Sequence, residues 1–279
     1  MAPDVADTSP WLTRASRHDK TREDTVKIGV CIKQVPAKDS PIAINEDGRW
    51  IREDDLKYEL CGPDEYALEA AIQIKEQHGG EVVAVSLGPA RSTDVLRTAL
   101  AKGADRAVHI QLDAPEVTPP LPAAKALAEA LSKESFDLIL SGLQSDDQGF
   151  GQTGVIVAEL LGIAHTTVVV DLEVTDGEVK VKRELEGGWY QSLSLPLPAM
   201  LAIQSGINTP RYASFKGIIA AKKKPLESVP AAASTEAHQQ TLKIYVPEKT
   251  KDTQFLEGDP DDAAQALIAK LKTEAGILS

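Results

Sequence analysis

FDLILSGLQSDDQGFGQTGVIVAELLG, residues 136–162, is the stretch on which the fold turns. Phe136–Leu140 is a short apolar run that reads as a strand buried on both faces. Val155–Leu161 reads as a helix closing at Gly162. Between them lies Ser141–Gln148, followed by Gly149-Phe150-Gly151-Gln152-Thr153-Gly154, which matches GxGxxG letter for letter. A dinucleotide fingerprint of that form starts directly at the end of the first strand of its unit. Here a polar loop intervenes and the strand is the fourth, so the match lacks its context. Simpler physics remains. Glycines let backbone amides approach a phosphate, a helix starting near Thr153 offers its positive end, and Thr153 adds a hydroxyl. A glycine-rich connection with a capping threonine is the competing reading, and residue types alone leave both open.

The same alternation continues on either side. Val26–Val35 (VKIGVCIKQV) reads as a first buried strand, and Pro63-Asp64-Glu65 opens a helix over Tyr66–Gln77 that Gly79-Gly80 stops. Glu81–Ser86 is a second strand, Ser92 or Thr93 caps a helix through Ala101, and Arg106–Ile110 is a third strand. Leu121–Lys133 is helical, and Thr166–Val170 is a fifth strand. Strands and helices alternating at this spacing predict an α/β fold, doubly wound, with a mostly parallel sheet and helices on both faces. Such sheets bind ligands outside the carboxyl ends of their strands, where strand order reverses. The loops after Val35, Ser86 and Leu140 are therefore the candidate site. From Leu172 the pattern changes. Leu172–Glu184 and Trp189–Leu195 read as a hairpin-like pair around Gly187-Gly188, and Gly206–Val229 as an arm of weak periodicity. Leu242–Tyr245 and a helix over Asp261–Leu271 complete a C-terminal appendage.

Composition narrows the function. The chain has 279 residues, 42% of them hydrophobic and 26% charged, with a formal net charge of -12. Nucleic acid and anionic membrane carry the same sign and are not expected as partners. No apolar run is long enough to span a bilayer. The N-terminus lacks an apolar signal region, and the two cysteines, Cys31 and Cys61, form no CxxC, so reduced thiols in a cytoplasmic protein are expected. The five histidines are scattered and no phosphate-binding lysine motif occurs, leaving no catalytic set in view. Asp146-Asp147 suits a metal, a ribose or solvent. Lys222-Lys223-Lys224, just after Arg211-Tyr212, suits a solvated face or a docking site steered by charge.

Taken in order, KIGVCIKQVPA, PDEYALEAA, EVVAVSLGP, LRTALAKGADRAVHI, the QTG of the glycine loop, KRELEGG and PRYASFKGIIAAKKK resemble the beta subunit of electron-transfer flavoproteins, from about Val26 to Pro225. Residues 1–24, which mix acids with bases, read as a flexible tail outside the resemblance, which implies an adenine-nucleotide-binding domain over 25–205 followed by a partner-recognition arm (206–229). Residues 230–279 form a C-terminal extension. It implies a heterodimer with an alpha subunit that holds most of the FAD, fed by dehydrogenases and drained by an acceptor such as a quinone oxidoreductase. It also implies an electron carrier without catalytic residues of its own.

The family's AMP pocket falls on Cys31, on Cys61, Gly62, Pro63 and Asp64, on Leu87, and on the loop Gly142, Leu143, Gln144, Ser145, Asp146, Asp147, Gln148, Gly149, Phe150, Gly151, Gln152 and Thr153. The partner-binding set falls on Glu184, facing an arginine of the alpha subunit, and on Arg211, Tyr212, Phe215, Lys222, Lys223 and Lys224, with Phe215 as the docking anchor. Departures from the family pattern are mixed. CIKQVP is similar to members of an electron-bifurcating branch in which a second FAD replaces AMP, whereas QTG is similar to members that hold AMP. AMP is the expectation and a second FAD the alternative. Outside the family, a stand-alone adenine-nucleotide-binding stress-type protein is the competing class.

Overall fold

A computed structural model of the chain describes residues 25–113, 118–231, 239–248 and 253–277. The expected N-terminal tail lies outside them. The chain divides into two compact units, 1–243 and 244–279.

In the first unit, β1 (Val26–Cys31), β4 (Gly80–Gly88), β5 (Arg106–Gln111), β6 (Leu138–Gly142), β7 (Ala164–Thr175) and β10 (Ala199–Ile203) run parallel. The sheet has the order β11-β5-β4-β1-β6-β10-β7-β8-β9, with β8 (Glu178–Glu184), β9 (Tyr190–Pro196) and β11 (Leu226–Pro230) completing it. Successive strands from β1 step outward through β4 to β5, and the chain then returns to place β6 on the other side of β1. That reversal is the switch point at which a doubly wound sheet opens a crevice.

Alternation along the strands sends side chains to two cores. Ile28, Val30, Leu138 and Leu140 meet Leu68 and Ile72 of α1 (Gly62–His78) and Leu96 and Leu100 of α2 (Thr93–Lys102) on one face. Val83, Val85 and Ile139 meet Leu127 of α3 (Pro120–Ser132) and Val157 of α4 (Thr153–Leu161) on the other. Helices on both faces of a mostly parallel sheet match the expected architecture.

Four details differ from the sequence reading. Val26–Val35 is not one strand, because β1 ends at Cys31 and β2 (Gln34–Pro36) pairs antiparallel with β3 (Tyr58–Leu60) in a separate ribbon. The Asp64 carboxylate accepts the Lys33 N–H at 2.8 Å, and Lys33 O accepts from Cys61 N at 3.0 Å, which turns the chain out of the sheet. The supposed hairpin is a three-stranded antiparallel meander, since Leu172–Thr175 belongs to β7 and only β8 and β9 flank Gly187-Gly188. β10 had no counterpart in the sequence reading, yet it occupies the middle of the sheet. Lastly, 206–229 is built into the domain. Within it α5 (Phe215–Ala221) packs against α2, and β11 extends the sheet beside β5.

In the second unit, α6 (Pro260–Thr273) is capped by Asp259, whose side chain accepts from the Asp261 and Asp262 amides.

Candidate functional site

The crevice at the strand ends encloses a cavity of about 220 Å³. Cys31 from β1, Leu87 and Gly88 from β4, and Ser141 and Gly142 from β6 form its floor. Asp64 enters from α1. The loop contributes Leu143, Gln144, Ser145, Asp147, Gln148, Phe150, Gly151 and Gln152, and α4 contributes Thr153 and Gly154. Cys61, Gly62, Pro63, Asp146 and Gly149 lie outside this lining.

Three of those outliers serve the scaffold. Asp146 Oδ2 accepts the Gly62 N–H at 2.8 Å, and the Asp146 N–H points to Cys61 Sγ at 3.4 Å. Reciprocally, Asp64 Oδ1 accepts the Gly142 N–H at 2.8 Å. The start of α1 and the loop are thus stapled by each other's carboxylates, and the positive end of α1 is consumed internally. Burial pushes the Asp64 carboxyl up to about 7, while the N–H groups of Gly142 and Lys33 pull the other way. Burial likewise pushes the Cys31 thiol up to about 12, with Asp64 adding to it, which makes this cysteine a cavity wall rather than a nucleophile. The Asp147 carboxylate is engaged in an ion pair, its Oδ1 accepting from Lys33 Nζ at 2.7 Å. No group of metal-ligating side chains occurs among the described residues.

The start of α4 is different. No side chain caps it, and its first amides have no intrahelical acceptor. Thr153 and Gly154 bring that end to the cavity. Gly151 permits the approach with φ 63°, in the left-handed region, and nothing lies closer than 3.8 Å to the Cβ it lacks. The Ser141 hydroxyl, on the cavity floor, is buried with no hydrogen-bond partner in the structure. An orphaned donor and a bare helix start facing one cavity fit the phosphate end of a nucleotide.

One wall was not anticipated. Trp50, Glu53, Tyr58 and Arg91 also line the cavity. Trp50 Nε1 donates to Glu53 at 2.8 Å, Arg91 pairs with Glu53 at 3.0 Å, and the guanidinium lies 4.3 Å from the centre of the Tyr58 ring. Three of the four sit in a polar stretch without periodicity, so no sequence signal marked them.

The second set of candidates lies elsewhere on the surface. Phe215 opens α5 and is 78% exposed, and Tyr212 is exposed beside it. Lys222 and Lys223 are exposed, whereas Lys224 is turned inward, its Nζ donating to Leu100 O at 3.0 Å and Ala104 O at 2.6 Å. Arg211 also faces the domain. Its Nε donates to Glu69 at 2.9 Å and its Nη1 to Glu76 at 2.6 Å, both on α1. Glu184 ends β8, half-buried, and forms no ion pair among the described residues.

A family model described as electron transfer flavoprotein domain matches residues 49–234. The chain is 40% identical over 256 residues to the electron transfer flavoprotein subunit beta of Methylophilus methylotrophus, covering 87% of this chain and 97% of the relative. It is 35% identical over 238 residues to that of Bacillus subtilis, covering 82% and 91%. To that of Bos taurus it is 34% identical over 246 residues, covering 87% and 95%. No helix among the described residues is long and apolar enough to cross a membrane.

Proposed function

The chain belongs to the electron transfer flavoprotein family, and from that premise we propose that it is the beta subunit of a heterodimer, holding AMP in the strand-end cavity. Family membership replaces the stand-alone stress-type reading. The observation that carries the AMP assignment is the uncapped start of α4 beside the orphaned Ser141 hydroxyl. Thr153, Gly154 and Ser141 hold the phosphate, and the apolar floor between Leu87 and Leu127 receives the base. FAD, held mainly by the alpha subunit, supplies the electron-carrying chemistry when bound. This chain provides the platform, the nucleotide and the docking element. Electrons enter from a dehydrogenase that engages Phe215 and leave to an acceptor such as a quinone oxidoreductase.

The test is direct. Denature the purified heterodimer and identify the released nucleotides by mass spectrometry. One AMP and one FAD per heterodimer is the expected result. Absence of any adenine nucleotide would overturn the pocket assignment, and two FAD without AMP would replace AMP by a second flavin.

A further inference from the structure

The charged residues lining the cavity, among those described, are Lys33, Arg91, Glu53, Asp64 and Asp147. Both cations are already paired, Lys33 with Asp147 at 2.7 Å and Arg91 with Glu53 at 3.0 Å. A first phosphate therefore rests on backbone amides and hydroxyls, which suits a monophosphate. A second phosphate needs a cation of its own, and the two pairs do not offer one equally. Lys33 is further held by Ser145 Oγ at 3.4 Å, and its carboxylate partner is only 12% exposed. Arg91 and Glu53 are 39% and 34% exposed, so solvent screens their attraction and the pair opens at little cost. Arg91 is also prepared for an oxyanion. Its guanidinium stacks on Tyr58, its carbonyl is fixed by Gln34 Nε2 at 2.9 Å, and its planar fork matches two phosphate oxygens. Glu53 would keep Trp50 Nε1 as a donor when Arg91 leaves.

We propose that Arg91 is a recruitable ligand for the second phosphate of a pyrophosphate-bearing nucleotide, with Glu53 as the resting counter-ion that the ligand must displace. This rests on the nucleotide reading of the cavity. It assigns the choice between a nucleotide with one phosphate and one with two to a side-chain pair that lines the cavity outside the glycine loop.

Equilibrium dialysis of the full chain, freed of nucleotide, against AMP, ADP and FAD tests it. Glu53→Gln keeps an acceptor for Trp50 but releases Arg91, and should tighten ADP relative to AMP by about fivefold or more. Arg91→Gln should loosen ADP relative to AMP by about tenfold. AMP affinity itself should stay within about twofold in both. Arg91→Lys, which keeps the charge without the fork, covers the case in which Arg91→Gln melts early, and should lose part of the ADP preference. The FAD arm separates two carriers of the same pyrophosphate: a shift for ADP alone assigns a nucleoside diphosphate, and a shift for both assigns a dinucleotide. An ADP-to-AMP ratio unchanged in all variants overturns the role of Arg91. Failure of the wild-type chain to bind AMP at all overturns the cavity reading first, and the two failures are distinguishable.

Discussion

Single side chains in the crevice trade stability against binding. Ser141 buries a hydroxyl with no partner, a cost of about 1–3 kcal/mol that a bound phosphate would recover. Ser141→Ala should therefore raise the melting temperature of the nucleotide-free chain while weakening AMP. Thr153→Val should weaken AMP by roughly tenfold or more, with the free chain melting as before, because it removes a donor to a charged group and keeps shape. If Ser141→Ala lowers the melting temperature and leaves AMP binding intact, the hydroxyl serves packing alone. Gly151→Ala is a poor companion to these variants, since φ 63° strains any side chain there, ligand or not. Asp64 has a pH signature. Its carboxyl is raised from 3.8 to about 7 in the folded chain. The folded state then holds a proton that the unfolded state has released, so this contribution is full below the lower value and is lost as pH rises through the upper one. Melting temperatures of the wild type minus those of Asp64→Asn, followed across that window, should fall with rising pH. A flat difference would show that the two backbone N–H donors, not burial, govern the group.

For whole elements, α5 is the instructive case. Its inner side is fixed: Ser214 caps it through the Gly217 amide, Arg97 donates to Ala221 O at 2.7 Å and Lys224 O at 3.0 Å, and a Cβ on Gly217 would stand 2.3 Å from Ala101 O. Its outer side carries Phe215, Ile218 and Ile219, all exposed. Phe215→Ala should slow reduction of the flavin by the dehydrogenase severalfold at sub-saturating carrier, leaving nucleotide content and melting temperature unchanged. Neutralising Lys222 and Lys223 should lower the association rate and flatten its salt dependence, with no change in stability. Lys224→Ala should instead destabilise the chain, because its ammonium satisfies two carbonyls at the end of α2. Equal behaviour of all three lysines would remove the distinction between steering and structure.

What the sequence could and could not reveal follows from the same elements. β1, β4 and β6 announce themselves as largely apolar runs because both faces are mostly buried, and the strand-end rule then locates the cavity without naming its walls. α5 is only about two turns long and packs on one helix, too brief for periodicity to register. β11, with its LESVP, buries no residue fully, as suits an edge strand, and so resembles a loop. Lys224 shares its residue type with two solvated neighbours, and only tertiary placement sets it apart. Glu53 and Arg91 meet across a distance in sequence that no local pattern encodes.

For the whole molecule, the formal net charge is -12 while α5 is followed by the exposed Lys222 and Lys223, so if α5 is the docking element proposed above, a dehydrogenase with an acidic rim would be steered towards it. The division at residue 243 has a consequence for truncation. A chain ending there contains every strand among the described residues and both cores, and should keep the melting temperature and AMP content of the full chain. Loss of either would show that 244–279 belongs energetically to the sheet.

The order of strands also bears on how the chain comes off the ribosome. β6 and β7 are separated by a slot that only β10 fills, and β10 arrives after the entire meander has been made. Until residue 203 has emerged, the nascent sheet is two pieces with facing open edges, one of them already carrying the glycine loop. Such edges are templates for unwanted pairing, and closure must wait for a distant segment. The middle of this protein is finished late, so a chain stalled or terminated before residue 203 would be a substrate for chaperones or proteases rather than a smaller working subunit.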